Sequence, residues 1–329
     1  EMMKKTTSAL AIAALLGTGA ASAATLQVGD DTSVTIGGDF QYAYTDIDNA
    51  DGESKSSFAD NGSSLVFAGE QTHANGITTS FYLDFDGFGT VGEDEPSNDL
   101  VNDEYHVAFA GDFGQIKIGN EGDVTGPIFD VVDIAETTGL DLPDGGASTE
   151  VVQYYSNDFN GFSFAVQAQL KGETQEDAIE ADASTASDGS STSFAGMVMA
   201  DLGTVTAGAG YAERANTEDE PTYGLMVSSA IAGVNVSANY VVQDDASEQD
   251  VDGFGLAADY NYGAGSLYGA LHSFSIDNLP AGAQDDYTQY LVGVNYNVTS
   301  NAYVYGEVSS QDRENDENDT MAVGLVYSW

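Results

Sequence analysis

The chain has 329 residues, of which 54 are Asp or Glu and 7 are Lys or Arg, giving a formal charge of −47 at pH 7. So few cations exclude nucleic acid as a partner, because phosphate is bound by Lys and Arg displacing counterions, and an anionic membrane surface would repel the chain. There is no cysteine, which excludes disulfides and thiolate chemistry.

Residues 1–23 open with Lys4 and Lys5, continue through an apolar run from Ala9 to Leu16, and end on Ala21-Ser22-Ala23. That three-part pattern predicts an export signal peptide removed before Ala24. Its loss takes away two lysines and one glutamate, so the mature chain is more acidic still. The 18 Tyr and 15 Phe argue against the disorder that such acidity otherwise signals. Carboxylates in excess with scarce lysine fit a halophile, whose salt screens the self-repulsion. After residue 23 no run reaches the roughly 18 consecutive apolar residues of a spanning helix. A membrane protein built from this chain has to be a barrel.

From residue 32 onward, alternating stretches of about ten residues are bounded by Gly, Asn, Asp and Ser, the pattern of transmembrane strands. In 34–44, Val34, Ile36, Phe40, Tyr42 and Tyr44 share a face. In 77–86, Ile77, Phe81, Leu83 and Phe85 oppose Ser80, Tyr82, Asp84 and Asp86. The pattern returns in 162–171, 233–242, 254–261 and 289–297. It closes in 320–329, where Met321, Val323, Leu325, Tyr327 and Trp329 oppose Ala322, Gly324, Val326 and Ser328.

A single such stretch also fits a half-buried strand of a soluble sandwich. The connections decide between the two. Short links near 111–113, 157–160, 201–203, 231–233, 262–265 and 297–299 alternate with long acidic ones near 46–62, 87–102, 121–149, 172–191, 214–221, 243–252, 276–286 and 310–318. Tight turns on one side and long loops on the other are the asymmetry of outer-membrane barrels, and a Greek-key sandwich has no reason to show it. With about sixteen stretches, the expected fold is all-β: one transmembrane antiparallel β-barrel domain over residues 24–329. Tyr327 and Trp329 would then sit where lipid meets water.

The final strand, with its outward apolar residues and terminal aromatic, resembles the signal by which outer-membrane barrels are recognised by the barrel assembly machinery. Three stretches, SSLVFAGEQTHANGITTSFYLDF (63–85), GDFGQIKIGN (111–120) and QYYSNDFNGFSFAV (153–166), resemble the general porins of Gram-negative bacteria. The likeness extends loosely over most of the mature chain. It implies a sixteen-stranded barrel in outer-membrane lipid, usually a homotrimer, whose third loop folds inward and narrows a water-filled channel. Here that loop would be 123–146, carrying Asp123, Asp130, Asp133, Glu136, Asp141 and Asp144. Where the family tends to place arginines on the barrel wall, this sequence has Ser64, Asn120 and Gln153.

By strand parity Lys117 faces the lumen, either as a lone cation near the constriction or as the neutralising partner of an adjacent carboxylate. Asp39, Glu70, Asp84, Glu104 and His106 face inward as well, and Tyr82, Tyr268, Tyr303 and Tyr305 are further candidates. His73, His106 and His272 lack metal-ligand spacing. No GxSxG nucleophile elbow occurs, and the glycines of TAGAGYA (206–212) make no dinucleotide loop. Neither an enzyme nor a cofactor is expected. The acidic loops DIDNADGE (46–53) and DRENDENDT (312–320) invite Ca2+, although the first fails the EF-hand spacing.

The expected function is passive diffusion of ions and small hydrophilic solutes, with cation preference from the carboxylates. A substrate-specific channel is the second reading. A secreted acidic β-rich calcium-dependent adhesin, soluble without detergent, is the third.

Overall fold

A computed structural model of the chain describes residues 23–29, 31–48, 54–86, 101–139, 150–170, 192–213, 221–243, 250–276, 286–312 and 319–329. The expected signal segment, up to residue 22, lies outside them. Strand segments come first: β1 (Ala24–Gly29), β2 (Thr32–Asp48), β3 (Ser54–Asp60), β4 (Ser64–Thr72), β5 (Thr78–Asp86), β6 (Val101–Gly111) and β7 (Gly114–Asn120). A single helical turn, α1 (Gly126–Phe129), follows. The chain continues through β8 (Val151–Tyr155), β9 (Phe162–Gln169), β10 (Ser193–Asp201), β11 (Val205–Glu213), β12 (Pro221–Ile231) and β13 (Val234–Gln243). It ends with β14 (Val251–Asn261), β15 (Ser266–Ile276), β16 (Asp286–Asn297), β17 (Ala302–Gln311) and β18 (Asp319–Ser328).

All pairings are antiparallel, and because β9 pairs with β10 while β18 pairs with β2, the sheet closes on itself. The wall is a sixteen-stranded barrel, since two of the 18 segments extend positions already occupied. β3 and β4 share one position along β2, facing residues 42–48 and 32–39 respectively. β1 takes up the line of β18 along β2, where β18 ends. Closure leaves no open sheet edge in the hydrocarbon, where an unpaired backbone group would cost several kcal/mol.

Burial is inverted relative to a soluble protein. Met321, Val323, Leu325 and Tyr327 are 44, 53, 45 and 45% exposed, whereas Ala322, Val326 and Ser328 between them are buried. The same outward apolar face runs round the wall through Ile118, Val166, Leu225, Tyr240 and Val292, all exposed. Such a surface is stable in lipid and not in water.

One expected loop is partly strand. Residues 46–48 and 54–60, read from the sequence within a long connection, continue the β2–β3 ladder. Thr45 and Ser57 hydroxyls hydrogen-bond across it at 2.8 Å, and Ser54 Oγ donates to Asp46 at 3.0 Å. Its outer part, where Asp46 and Asp48 face Ser56 and Ser54, is mostly polar and lacks the apolar alternation that marks a membrane strand, whereas Phe58 nearer the wall stacks on Tyr42.

Candidate functional site

The apolar cores lie inside the barrel, beneath the segment that follows β7. Ile128, Phe129 and Val132 are at most 1% exposed. Ile128 packs on Gly208 and Gly210 of β11, Phe129 on Gly224 of β12, and Val132 on Gly255 of β14. These wall positions alternate with exposed Tyr211, Tyr223, Leu225, Phe254 and Leu256, so the contacts are on the inner face. Val124, Ile128 and Phe129 cluster with Ala165, Ala195, Ala212, Met226 and Val241. Val132 joins Ala257, Tyr268, Ala270 and Leu291. Asn239 on β13 donates its Nδ2 hydrogen to the Phe129 carbonyl at 2.6 Å.

The segment is tied to the wall at its start. Lys117 Nζ lies 2.6 Å from Glu121 Oε1, and His106 Nδ1 contacts Glu121 Oε2. Burial pushes the Glu121 carboxyl up, but the hydrogen bond from His106 and the charge and hydrogen bond of Lys117 outweigh it and hold the group below the usual range. Gln153, fully buried, donates to the Gly122 carbonyl and to Gln167 Oε1, both at 2.7 Å. Glu104 accepts from the Gly122 N–H at 3.3 Å.

The tip is tied by a carboxylate that sequence reasoning did not single out. Glu307 on β17, 2% exposed, accepts from the backbone N–H groups of Glu136 (2.6 Å), Thr137 (3.0 Å) and Thr138 (3.2 Å). Tyr268 Oη donates to it at 2.8 Å. Tyr305 Oη meets the Thr137 hydroxyl, and Asn61 donates to the Glu136 carbonyl at 2.9 Å. One acid among 54 carries no local signal; shared parity with Tyr303 and Tyr305 was the only clue.

Beside the segment a cavity of about 750 Å³ remains, bounded by β2, β4, β5, the ends of β14 and β15, β16, β17 and β18. Its carboxylates are Asp39, Asp84 and Glu136, and its neutral wall includes Ser64, Asn261, Asn295, Asn297 and Tyr303. Among the described lining residues there is no Lys, Arg or His. Tyr82 Oη donates to Asp84 at 3.0 Å and Tyr303 Oη to Glu136 at 2.8 Å. Burial raises the Glu136 carboxyl above its usual range, against the Tyr303 hydrogen bond, with Glu307 adding repulsion. Burial likewise raises Asp133.

The expected site residues separate accordingly. Asp39 accepts from Ser64 Oγ at 2.6 Å, and both border the cavity with Asp84. Glu70 accepts from the Ser33 hydroxyl at 3.5 Å. His106 stacks on Tyr82 with ring centroids 5.5 Å apart. Lys117 is 5% exposed and spent on Glu121, the second of its two sequence readings. Asn120 is a correction: it pairs with outward-facing Tyr105 and lies off the lumen wall, three residues from Lys117 and hence on the opposite face. Asp123 accepts from the Thr125 N–H at 3.1 Å, and Asp130 caps α1. Of the described loop acids, only Glu136 borders the cavity; Asp141 and Asp144 lie outside the described residues. Tyr327 faces outward, but Trp329 is half-buried and borders the cavity, exchanging backbone hydrogen bonds with Gly38 at 3.0 and 3.2 Å. Asp46 and Asp48 of the first acidic loop are on strand β2; most of the second lies outside the described residues.

A family model described as Gram-negative porin matches residues 6–316. The chain belongs to the Gram-negative porin family. The porin is 28% identical over 373 aligned residues to a protein named monosaccharide porin from Halomonas sp. and to a major outer membrane protein of Halomonas elongata, covering 99% of this chain and 100% of each relative. Among solved structures, an anion-selective porin from Comamonas acidovorans superposes with a TM-score of 0.74 at 16% identity, over 91% of this chain and all of that one. OmpT of Vibrio cholerae in its trimer form gives 0.69 at 14% identity, over 91% of this chain and all of that one; at these identities the likeness is one of fold. The porin is an outer-membrane channel protein and not an enzyme.

Proposed function

We propose that this porin lets small hydrophilic solutes and ions diffuse passively with a preference for cations, past a constriction formed by the loop that begins at 123. The observation that carries the proposal is the cavity lining, with Asp39, Asp84 and Glu136 and no basic residue among its described members. The Lys117 charge is already met by Glu121, so it offers little to an anion. Selectivity in such a pore follows the sign of its wall charge. The Comamonas acidovorans porin of the same fold is described as anion-selective, so side chains and not the fold decide the sign. Neutral sugars, the cargo named for one Halomonas relative, fit the same reading, because the asparagine-rich wall can hydrogen-bond hydroxyls without charge.

Export by a signal peptide cut before Ala24, assembly by the barrel machinery and a homotrimeric state complete the proposal. The test is the reversal potential of the purified protein in a planar bilayer across a KCl gradient. Cation preference that weakens as salt screens the carboxylates is expected. Anion preference would reject it.

A further inference from the structure

The wall beneath the loop lacks side chains where the loop presses on it. A Cβ at Gly224 would come inside 3.0 Å of both Phe129 and Ile128, one at Gly208 inside 3.0 Å of Ile128 and Met199, and one at Gly255 inside 3.0 Å of Val132 and Asn239. At Gly210 it would stand 3.2 Å from Ile128. Glycine weakens a strand and marks places where another part of the chain comes close. Here four of them face one fully buried apolar triplet, Ile128, Phe129 and Val132. The wall cannot yield readily, since β12 is hydrogen-bonded along its length to β11 and β13. The groups that must give at Gly224 are the Ile128 and Phe129 side chains, fully buried under the loop that carries them.

We propose that Gly208, Gly210, Gly224 and Gly255 are positioning residues: a recessed seat that fixes how far the loop lies back against β11–β14, and thereby the width of the passage left beside β2, β5, β16 and β17. The inference rests on the reading of this loop as the constriction. Any side chain in the seat lifts Phe129 and Ile128 toward the open half of the lumen, while Glu136 stays tied to Glu307, Asn61 and Tyr303. The seat sets the size limit without touching solute.

Single-channel conductance and exclusion of neutral polymers of graded size test this on Gly224→Ala, Gly224→Val and the control Gly306→Ala, whose Cβ would have 3.9 Å to its nearest neighbour. Conductance and size limit should fall stepwise from Gly to Ala to Val and stay unchanged in the control. Adding Phe129→Ala to Gly224→Val should return conductance toward that of the parent, a rescue that general damage to the barrel would not show. Parental conductance in a correctly folded Gly224→Val barrel, or failure of the rescue, overturns the proposal. If Gly224→Val does not fold, Gly210→Ala carries the same test with a smaller loss, and no loss there overturns it. Deleting residues 126–134 without widening the channel would instead sink the constriction reading, which separates the two failures.

Discussion

Replacing Glu307 with Ala removes the acceptor for three backbone N–H groups at 2.6, 3.0 and 3.2 Å and for the Tyr268 hydroxyl at 2.8 Å. Hydrogen bonds to a charged group each contribute about 1.5–3 kcal/mol, and a buried donor left unmet costs about 1–3 kcal/mol. Members of one cluster do not add fully, so the loss for the seated tip is about 3–5 kcal/mol, in line with removal of one partner from a buried charged pair. At 1.4 kcal/mol per decade, the ratio of seated to released tip shifts by about two to three and a half orders of magnitude. Glu307→Gln, which keeps one acceptor oxygen but turns an amide toward the donors, should fall between parent and Ala. Single-channel recording reads this directly as flicker between conductance levels in Glu307→Ala where the parent current is steady. A Glu307→Ala channel as quiet as the parent, with unchanged ion selectivity, would refute the idea that this carboxylate holds the tip.

Lowering the pH should erode cation preference above the ordinary glutamate range, because burial raises the Glu136 carboxyl and its charge is lost on the way down. Reversal potentials across a pH series check this, and Glu136→Gln should remove that part of the dependence. The folded state holds the Glu136 and Asp133 protons more tightly than the unfolded chain, so these groups favour folding below the ordinary carboxyl range and lose that contribution as pH rises through their raised values. Glu121 has the opposite sign: its lowered carboxyl stabilises above the ordinary range and loses that contribution as pH falls through the folded value. Glu121→Gln strands a buried Lys117 and should cost about 3 kcal/mol or more, seen as a lower thermal transition of the detergent complex. Ala232 holds a left-handed φ of 54° in the β12–β13 turn, a conformation costing an L-residue about 1–2 kcal/mol, so Ala232→Gly should raise that transition and Ala232→Val should lower it.

The outward face was legible because lipid imposes it on every strand: β18 reads apolar at alternate positions for the same reason that Met321, Val323 and Leu325 are exposed. Tight turns were legible through their Gly, Asn and Asp residues. The β2–β3 ribbon was not, since Ser54, Ser56 and Ser57 in water need no apolar alternation. Asn120 was misplaced by a family alignment that parity overrides. The tip anchor stayed hidden because Glu307 owes its role to Tyr268 and residues 136–138, distant in sequence and joined only by the closed wall. Wall glycines read locally as weak strand, and only the loop above gives them meaning.

One stave of the cylinder is spliced from two segments some three hundred residues apart: β18 stops at Ser328, Trp329 clasps Gly38, and β1 carries on along β2. The joint can therefore be made only after β18 has arrived, and contacts so remote in sequence form slowly. Through that wait, the greasy outward faces of the other strands stand unprotected. A charge of −47 keeps neighbouring copies apart by mutual repulsion, so the acidity that tints the passage also guards the barrel before it exists.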